Sequence, residues 1–173
     1  MIDLATDASS RAIGAYYHGD WAYFSFHTDL PWLEHFHINF KEVFALVLAA
    51  ELWTPWWPNS KVIWRTDSKV ALGMVNKGTC RNPKAMRMMR RLFWLSAIYN
   101  FEIQAVHIAG AINHIPDAIS RLQEPKQWKR LEALIGAKGL LPLCDHMSYH
   151  SYLCTLFPQV QQGRHPGQNW KPG

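Results

Sequence analysis

The sequence predicts an α/β fold: a mixed sheet of five strands flanked by helices. Three observations point to it. Residues 2–27 alternate apolar and polar positions and are broken only by short turns, which makes an antiparallel meander because such short connections cannot cross over. Two later strand patterns, 62–65 and 102–107, are separated by stretches of helical periodicity, as in parallel strands joined by crossovers. Acidic residues then fall at the carboxyl ends of two of the strands that would run parallel, where sites form in such sheets.

In order, the first strand covers 2–8 and ends near Asp7; Ser9-Ser10-Arg11 is a polar turn. The second runs from Ile13 to His18. His18-Gly19-Asp20 turns the chain into a third, Trp21 to His27. Gly14, inside the second strand, marks a close approach of backbone or ligand, or is simply a packing glycine. Residues 28–37 are irregular. Asn39 is placed to cap a helix that runs to about Trp53, with Glu42 three residues later as in a capping box. Val43, Leu46, Val47 and Ala50 supply its apolar face.

Thr54 to Ser60 is a proline-bounded loop whose tryptophans are read as core lids. The fourth strand, 62–65, ends at Thr66-Asp67-Ser68, and a helix follows at once to about Asn76. Gly78 breaks it. Asn82-Pro83 starts a longer helix to about Tyr99, with Asn82 as cap. Lys84, Arg87 and Arg91 share one face of it, and Met88, Met89, Leu92, Leu95 and Ile98 take the buried side. The fifth strand is 102–107. A glycine-containing loop then leads to a helix with Pro116 at its start and Asp117 in its first turn. The pattern weakens from Gln123, with a helix over 128–135, and residues 158–173 read as a disordered tail or linker. The expected division is a domain over 1–122 and an extension over 123–173.

The 173 residues suit one ordinary domain with a real core. No apolar run reaches the roughly 18 residues of a membrane span, and the opening residues do not have the pattern of a signal peptide. Cys80, Cys144 and Cys154, odd in number and widely spaced, fit a reducing, intracellular compartment. Net charge is +5. Between Asp67 and Glu102 there is no acid, while Lys69, Lys77, Arg81, Lys84, Arg87, Arg90 and Arg91 all fall there. Such a face is either merely solvated or binds a polyanion. Cys144, His146, His150 and Cys154 are zinc-ligand types at a spacing that matches no common zinc pattern, so ordinary packing is the preferred reading.

Asp7, Glu42, Asp67 and Asp117 are the candidates for chemistry. Each has a bland alternative: Glu42 as part of a capping box, Asp67 as the cap of the next helix, Asp117 as an acid favoured by a helix dipole. Brought together, four carboxylates would repel one another unless cations neutralised them. Oxygen ligands suit Mg²⁺, with Mn²⁺ as a substitute, and a pair of such ions can clamp a scissile phosphodiester. No Cys or His cluster stands near these acids in sequence, which disfavours zinc, and no Gly-x-Ser-x-Gly elbow suggests a serine hydrolase.

Four stretches together resemble a known family. Thr6-Asp7-Ala8-Ser9 followed by Ala12-Ile13-Gly14-Ala15 resembles the opening of ribonuclease H domains of retrotransposon reverse transcriptases, especially the gypsy and DIRS types. Asn39-Phe40-Lys41-Glu42 is similar to the family's Asn-x-x-Glu helix start, and Thr66-Asp67-Ser68 to its third motif. His107 to Arg121 is similar to its His-x-Pro-Gly-x-x-Asn-x-x-Ala-Asp-x-Leu-Ser-Arg ending, with Ala109, Pro116 and Ile119 as departures. The resemblance covers residues 1–122. It implies an RNase H-like fold with sheet order 3-2-1-4-5 and Mg²⁺-dependent hydrolysis of the RNA strand of an RNA–DNA hybrid.

The same resemblance puts Asp7, Glu42, Asp67 and Asp117 at the four metal-holding catalytic positions. It makes Asn39 a substrate contact and His107 the mobile histidine that helps product release, with His114 a weaker rival. Ser68 and Asn113, inside the motifs, join the substrate side. Backbone near Ser9 and Gly14 would sense 2′-hydroxyls, and Lys84, Arg87 and Arg91 would track phosphates. It implies a polymerase domain as neighbour in a parent polyprotein, of which this chain would be a fragment or remnant. Two alternatives stand beside the enzyme: an inactive module that binds hybrid or duplex through the basic 69–91 region, and another nuclease or integrase on the same fold.

Overall fold

The computed structural model describes residues 1–136. Among the described residues there are five strands: β1 (Ile2–Ala8), β2 (Ala12–Tyr17), β3 (Asp20–Ser25), β4 (Lys61–Thr66) and β5 (Glu102–His107). The α-helices are α1 (Ile38–Trp53), α2 (Lys69–Lys77), α3 (Pro83–Tyr99), α4 (His114–Ser120) and α5 (Pro125–Ile135), with short 3-10 turns at Pro31–Leu33, Thr54–Trp56 and Gly110–Ile112. The sheet order is β3-β2-β1-β4-β5. β1, β2 and β3 pair antiparallel, and β1, β4 and β5 pair parallel, as the connection lengths require. The Cys144, His146, His150 and Cys154 group and the 158–173 tail lie outside the described residues.

Strand alternation assigns the two faces. Leu4, Ile13, Ala15, Tyr17, Phe24 and Val62 point into the larger core beneath α1 and α3. Trp21, with Tyr16 and Tyr23 beside it, points the other way, onto Ala118 and Ile119 of α4, Leu122, and Leu131 and Trp128 of α5. So α5, beyond residue 122, packs into the same body. Trp21 and Trp128 meet edge to face with ring centroids 5.9 Å apart, the arrangement that aromatic quadrupoles favour. At the sheet edge, the Asn76 side chain of α2 donates to the Ala105 carbonyl and accepts from the Ala105 N–H, both at 2.9 Å. That saturates a backbone site otherwise open to strand addition.

The structure corrects several local expectations. α1 starts one residue before Asn39, and its cap is His37, whose Nδ1 accepts the Asn39 N–H at 3.2 Å. There is no capping box, because Glu42 bonds to another element. Nor does α1 have one apolar face: Phe44, Ala45, Leu48 and Ala49 are as buried as Val43, Leu46, Val47 and Ala50. The helix is wedged between the sheet and α3, so both sides need apolar residues. Ile98 of α3 is 52% exposed, outside the buried face of Met88, Met89, Leu92 and Leu95. Of the loop tryptophans, Trp57 is a core lid, but Trp56 is 66% exposed. Pro116 is the third residue of α4, still within the first turn, where a missing N–H leaves no helical bond unmade.

Candidate active site

Because β1 and β4 are parallel neighbours, their carboxyl ends finish side by side. Asp7 is next to last in β1, and Asp67 follows β4 directly. Ser68, not Asp67, caps α2: its Oγ accepts the Ala71 N–H at 3.1 Å. Glu42 approaches from α1, where its Oε1 accepts the Ala8 N–H at 3.0 Å. This bond moors the helix to the end of β1. One carboxylate oxygen from each of Asp7, Glu42 and Asp67 lies within 4.8 Å of the others. They line a cleft of about 430 Å³ together with Asn39, Ser68, Lys69, Gly110, Asp117 and Arg121. A Cβ on Gly110 would come within 3.0 Å of the Asp67 Oδ2, so the loop after β5 closes tightly over that acid.

The cluster is electrostatically unfavourable as it stands. Burial pushes the Asp7 carboxyl up to about 6; the Ser120 hydroxyl opposes this by donating to Oδ2 at 2.6 Å, and the charges of Asp67 and Asp117 add to it. Burial pushes Glu42 up to about 9, with the Asp7 charge adding and the Ala8 N–H opposing. The Glu42 Oε2 is buried without a hydrogen-bond partner. A buried carboxylate oxygen with no donor, facing two further acids, fits a hard dication with oxygen ligands.

The fourth predicted acid stands apart from this trio. Asp117 borders the cleft, but Arg121 Nε donates to its Oδ1 at 2.9 Å and Arg130, from α5, donates to its Oδ2 at 2.6 Å. Burial raises its carboxyl, but the hydrogen bonds from Arg130 and Arg121 outweigh that and leave it below the ordinary range.

The remaining predicted residues divide by location. Asn39 and Ser68 border the cleft. Ser9 and Gly14 instead meet α4: the Ser9 hydroxyl donates to the Ser120 carbonyl at 2.8 Å, and a Cβ on Gly14 would lie 2.5 Å from the Pro116 carbonyl oxygen. Asn113 is buried and donates to the Thr6 carbonyl at 3.2 Å, tying the start of α4 to β1. Lys84 and Arg87 lie in a separate groove of about 550 Å³ with Trp32, Phe36 and Phe40; the Lys84 ammonium sits 4.5 Å from the Phe36 ring centroid. Arg91 is bound to the buried Glu51 of α1 and stacks on Trp94. His107 is exposed at the end of β5, outside the cleft lining, and His114 contacts Arg130.

Three polar residues around the acids were given no role from the sequence, Ser120, Arg121 and Arg130, and Lys69 was counted only within the basic run. Ser120 and Arg121 stand inside the last motif, which was the available signal. Arg130 lies in a stretch with no motif.

No family model matches the chain, and no curated protein does. Among solved structures it is similar to the RNase H1 of the halophilic archaeon Halobacterium salinarum NRC-1. The TM-score is 0.55 with 19% identity, over 68% of this chain and 92% of that one. That likeness, with the five-stranded mixed sheet in the order 3-2-1-4-5, establishes the RNase H-like fold. No helix among the described residues is long and apolar enough to cross a membrane.

Proposed function

We propose that this chain is a ribonuclease H that hydrolyses the RNA strand of an RNA–DNA hybrid with a divalent cation, of the type carried by retrotransposon reverse transcriptases. The observation that carries this reading is the convergence of Asp7, Glu42 and Asp67 at the parallel strand ends of an RNase H-like sheet. These three would hold Mg²⁺, or Mn²⁺ in its place, with Asp117 bordering the same cleft. Such an ion supplies charge to offset the phosphodiester and acidity to make a nucleophile of water.

The chain's own groups do the positioning. The N-terminal turns of α1 and α2 open onto the cleft at Asn39 and Ser68, and the positive ends of their dipoles favour an anion there. Lys69, on the cleft wall, adds a cation for the substrate backbone. His107 keeps its proposed part in product release as an exposed group at the end of β5. A polymerase neighbour and a retroelement origin rest on the resemblance of the four motifs.

The test is cleavage of an end-labelled hybrid with Mg²⁺, beside Asp67→Asn. Cutting confined to the RNA strand and lost in Asp67→Asn is the expected result. Equal cutting of both strands, or activity untouched by Asp67→Asn, overturns the reading. A second reading, a hybrid-binding module without activity, is favoured by the engagement of Asp117 with two arginines; binding without cutting would support it.

A further inference from the structure

Both carboxylate oxygens of Asp117 are taken by guanidinium groups, yet the two arginines differ in origin. Arg121 is one turn further along the same stretch of chain, an ordinary i,i+4 pair. Arg130 comes from the next helix and is held there by more than its charge. Besides the Asp117 bond it contacts the Gln127 Oε1 and the His114 Nδ1, each at 3.3 Å. Its helix is fixed independently, through fully buried Leu131 and the edge-to-face contact of Trp128 on Trp21. Arg130 is therefore presented to Asp117 by a docked element rather than drawn in by the acid. It meets the cleft through Asp117, which lines it, and is not itself part of the lining.

We propose that Arg130 is a built-in cation that competes with a metal ion for Asp117, so that α5 restrains occupancy of the cleft's second cation position. The proposal rests on the metal-dependent reading above. A dication approaching Asp117 meets a like charge already in place and must displace it or bind without that ligand. The first position is made by Asp7, Glu42 and Asp67, whereas the side-chain bonds of Arg130 go to Asp117, Gln127 and His114. Arg130 is thus a positioning residue whose effect is confined to one of two binding steps.

The experiment is Mn²⁺ binding to the full chain, with free ion counted by electron paramagnetic resonance, for wild type, Arg130→Gln and Arg130→Lys. Near-UV circular dichroism of the tryptophans reports whether α5 is docked. In Arg130→Gln the second step should tighten about tenfold, the scale of removing one like charge beside the ion, while the first step stays unchanged. Arg130→Lys, which keeps the charge but loses the planar fork, should fall between them. A second step unchanged or weakened in a docked Arg130→Gln overturns the proposal and leaves the metal reading intact. If Arg130→Gln undocks α5, Arg130→Lys decides: a tightened second step supports the proposal, and a wild-type value overturns it. No Mn²⁺ bound by any of the three would sink the metal reading and this proposal together.

Discussion

Gly14 lies directly across from Asp7 in the β1–β2 ladder, and a Cβ there would meet the Pro116 carbonyl oxygen at 2.5 Å and the Ser120 amide nitrogen at 2.6 Å. The missing side chain is what lets α4 sit flat on the sheet. That approach brings the Ser120 hydroxyl to Asp7 and Asp117 to the rim of the cleft. The obstacles are backbone atoms, which cannot swing aside as a flexible side chain could. Gly14→Ala should therefore cost about 1–3 kcal/mol of stability, the usual scale for overpacking. A urea titration should show a lower midpoint at an unchanged slope. A wild-type midpoint would mean that α4 tolerates the shift and is not braced by this contact.

The hydroxyl delivered by that approach makes its own prediction. Ser120→Ala removes a donor from a buried carboxylate and leaves the oxygen unsatisfied, a loss of about 1–3 kcal/mol. It should also push the Asp7 carboxyl higher still, because the Ser120 bond is the leading influence that holds it down. Carboxyl titration by NMR would show the shift. An Asp7 titration that matches wild type would remove Ser120 from the site's electrostatics.

Stability without metal should fall as pH rises. Asp7 binds its proton more tightly in the folded chain, at about 6 against 3.8 unfolded, and Glu42 likewise, at about 9 against 4.5. The native state then holds more protons than the unfolded one, so the slope of unfolding free energy with pH is negative from about pH 4 upward. Asp7 reaches its full penalty, about 3 kcal/mol, above pH 6, while Glu42 keeps adding to it toward pH 9. Asp117, held below its ordinary range, contributes the opposite trend only in acid. Thermal midpoints in chelator should decline from pH 5 to pH 8, and Mg²⁺ should restore more at pH 8, where Asp7 has already lost its proton and only Glu42 must still release one. A flat profile in chelator would contradict the clustered, buried arrangement.

The sequence made the acids legible because strand ends and helix starts are local features. Asp7 and Asp67 needed only the period-2 pattern and the rule that parallel strands share a carboxyl edge. The direction of inward-facing polar residues was not legible. Ser9, Gly14 and Asn113 were recognised as special, but their partners lie on α4 or β1 more than a hundred residues away, so no local pattern shows which way they face. Arg91 shares a helical stripe with Lys84 and Arg87, yet Glu51 on α1 claims it, a pairing set by how two helices cross. The ion pair between Asp117 and Arg130 was hidden for the same reason.

Arg91 and Lys84 should separate cleanly on mutation. Arg91→Ala leaves Glu51 buried and uncompensated, which should cost about 3–5 kcal/mol in denaturant unfolding. Lys84→Ala removes an exposed ammonium and should leave the midpoint within about 0.5 kcal/mol of wild type. If α3 tracks phosphates, Lys84→Ala should also weaken hybrid binding and flatten its salt dependence by about one counterion. Equal stability losses in both variants would contradict the different roles that burial assigns them.

Glu42→Gln should stabilise the metal-free protein while it weakens the site. The amide keeps an oxygen for the Ala8 N–H, so the link between α1 and β1 survives. At pH 8 it spares the folding chain the proton that Glu42, raised to about 9 by burial and the Asp7 charge, must take up, and it removes an acceptor oxygen that has no donor. What remains is the hydrogen bond with no protonation needed to form it, and a buried polar group costs least when it is neutral and paired. The thermal midpoint in chelator at pH 8 should rise by several degrees, the scale of a gain of about 1 kcal/mol in a domain of this size. The first Mn²⁺ binding step should weaken by about tenfold or more, since an amide oxygen is a neutral ligand where a dication prefers an anion. Opposite signs in the two measurements are the signature of a residue kept for function against stability. A drop in both would instead make Glu42 a structural tether whose charge serves the fold.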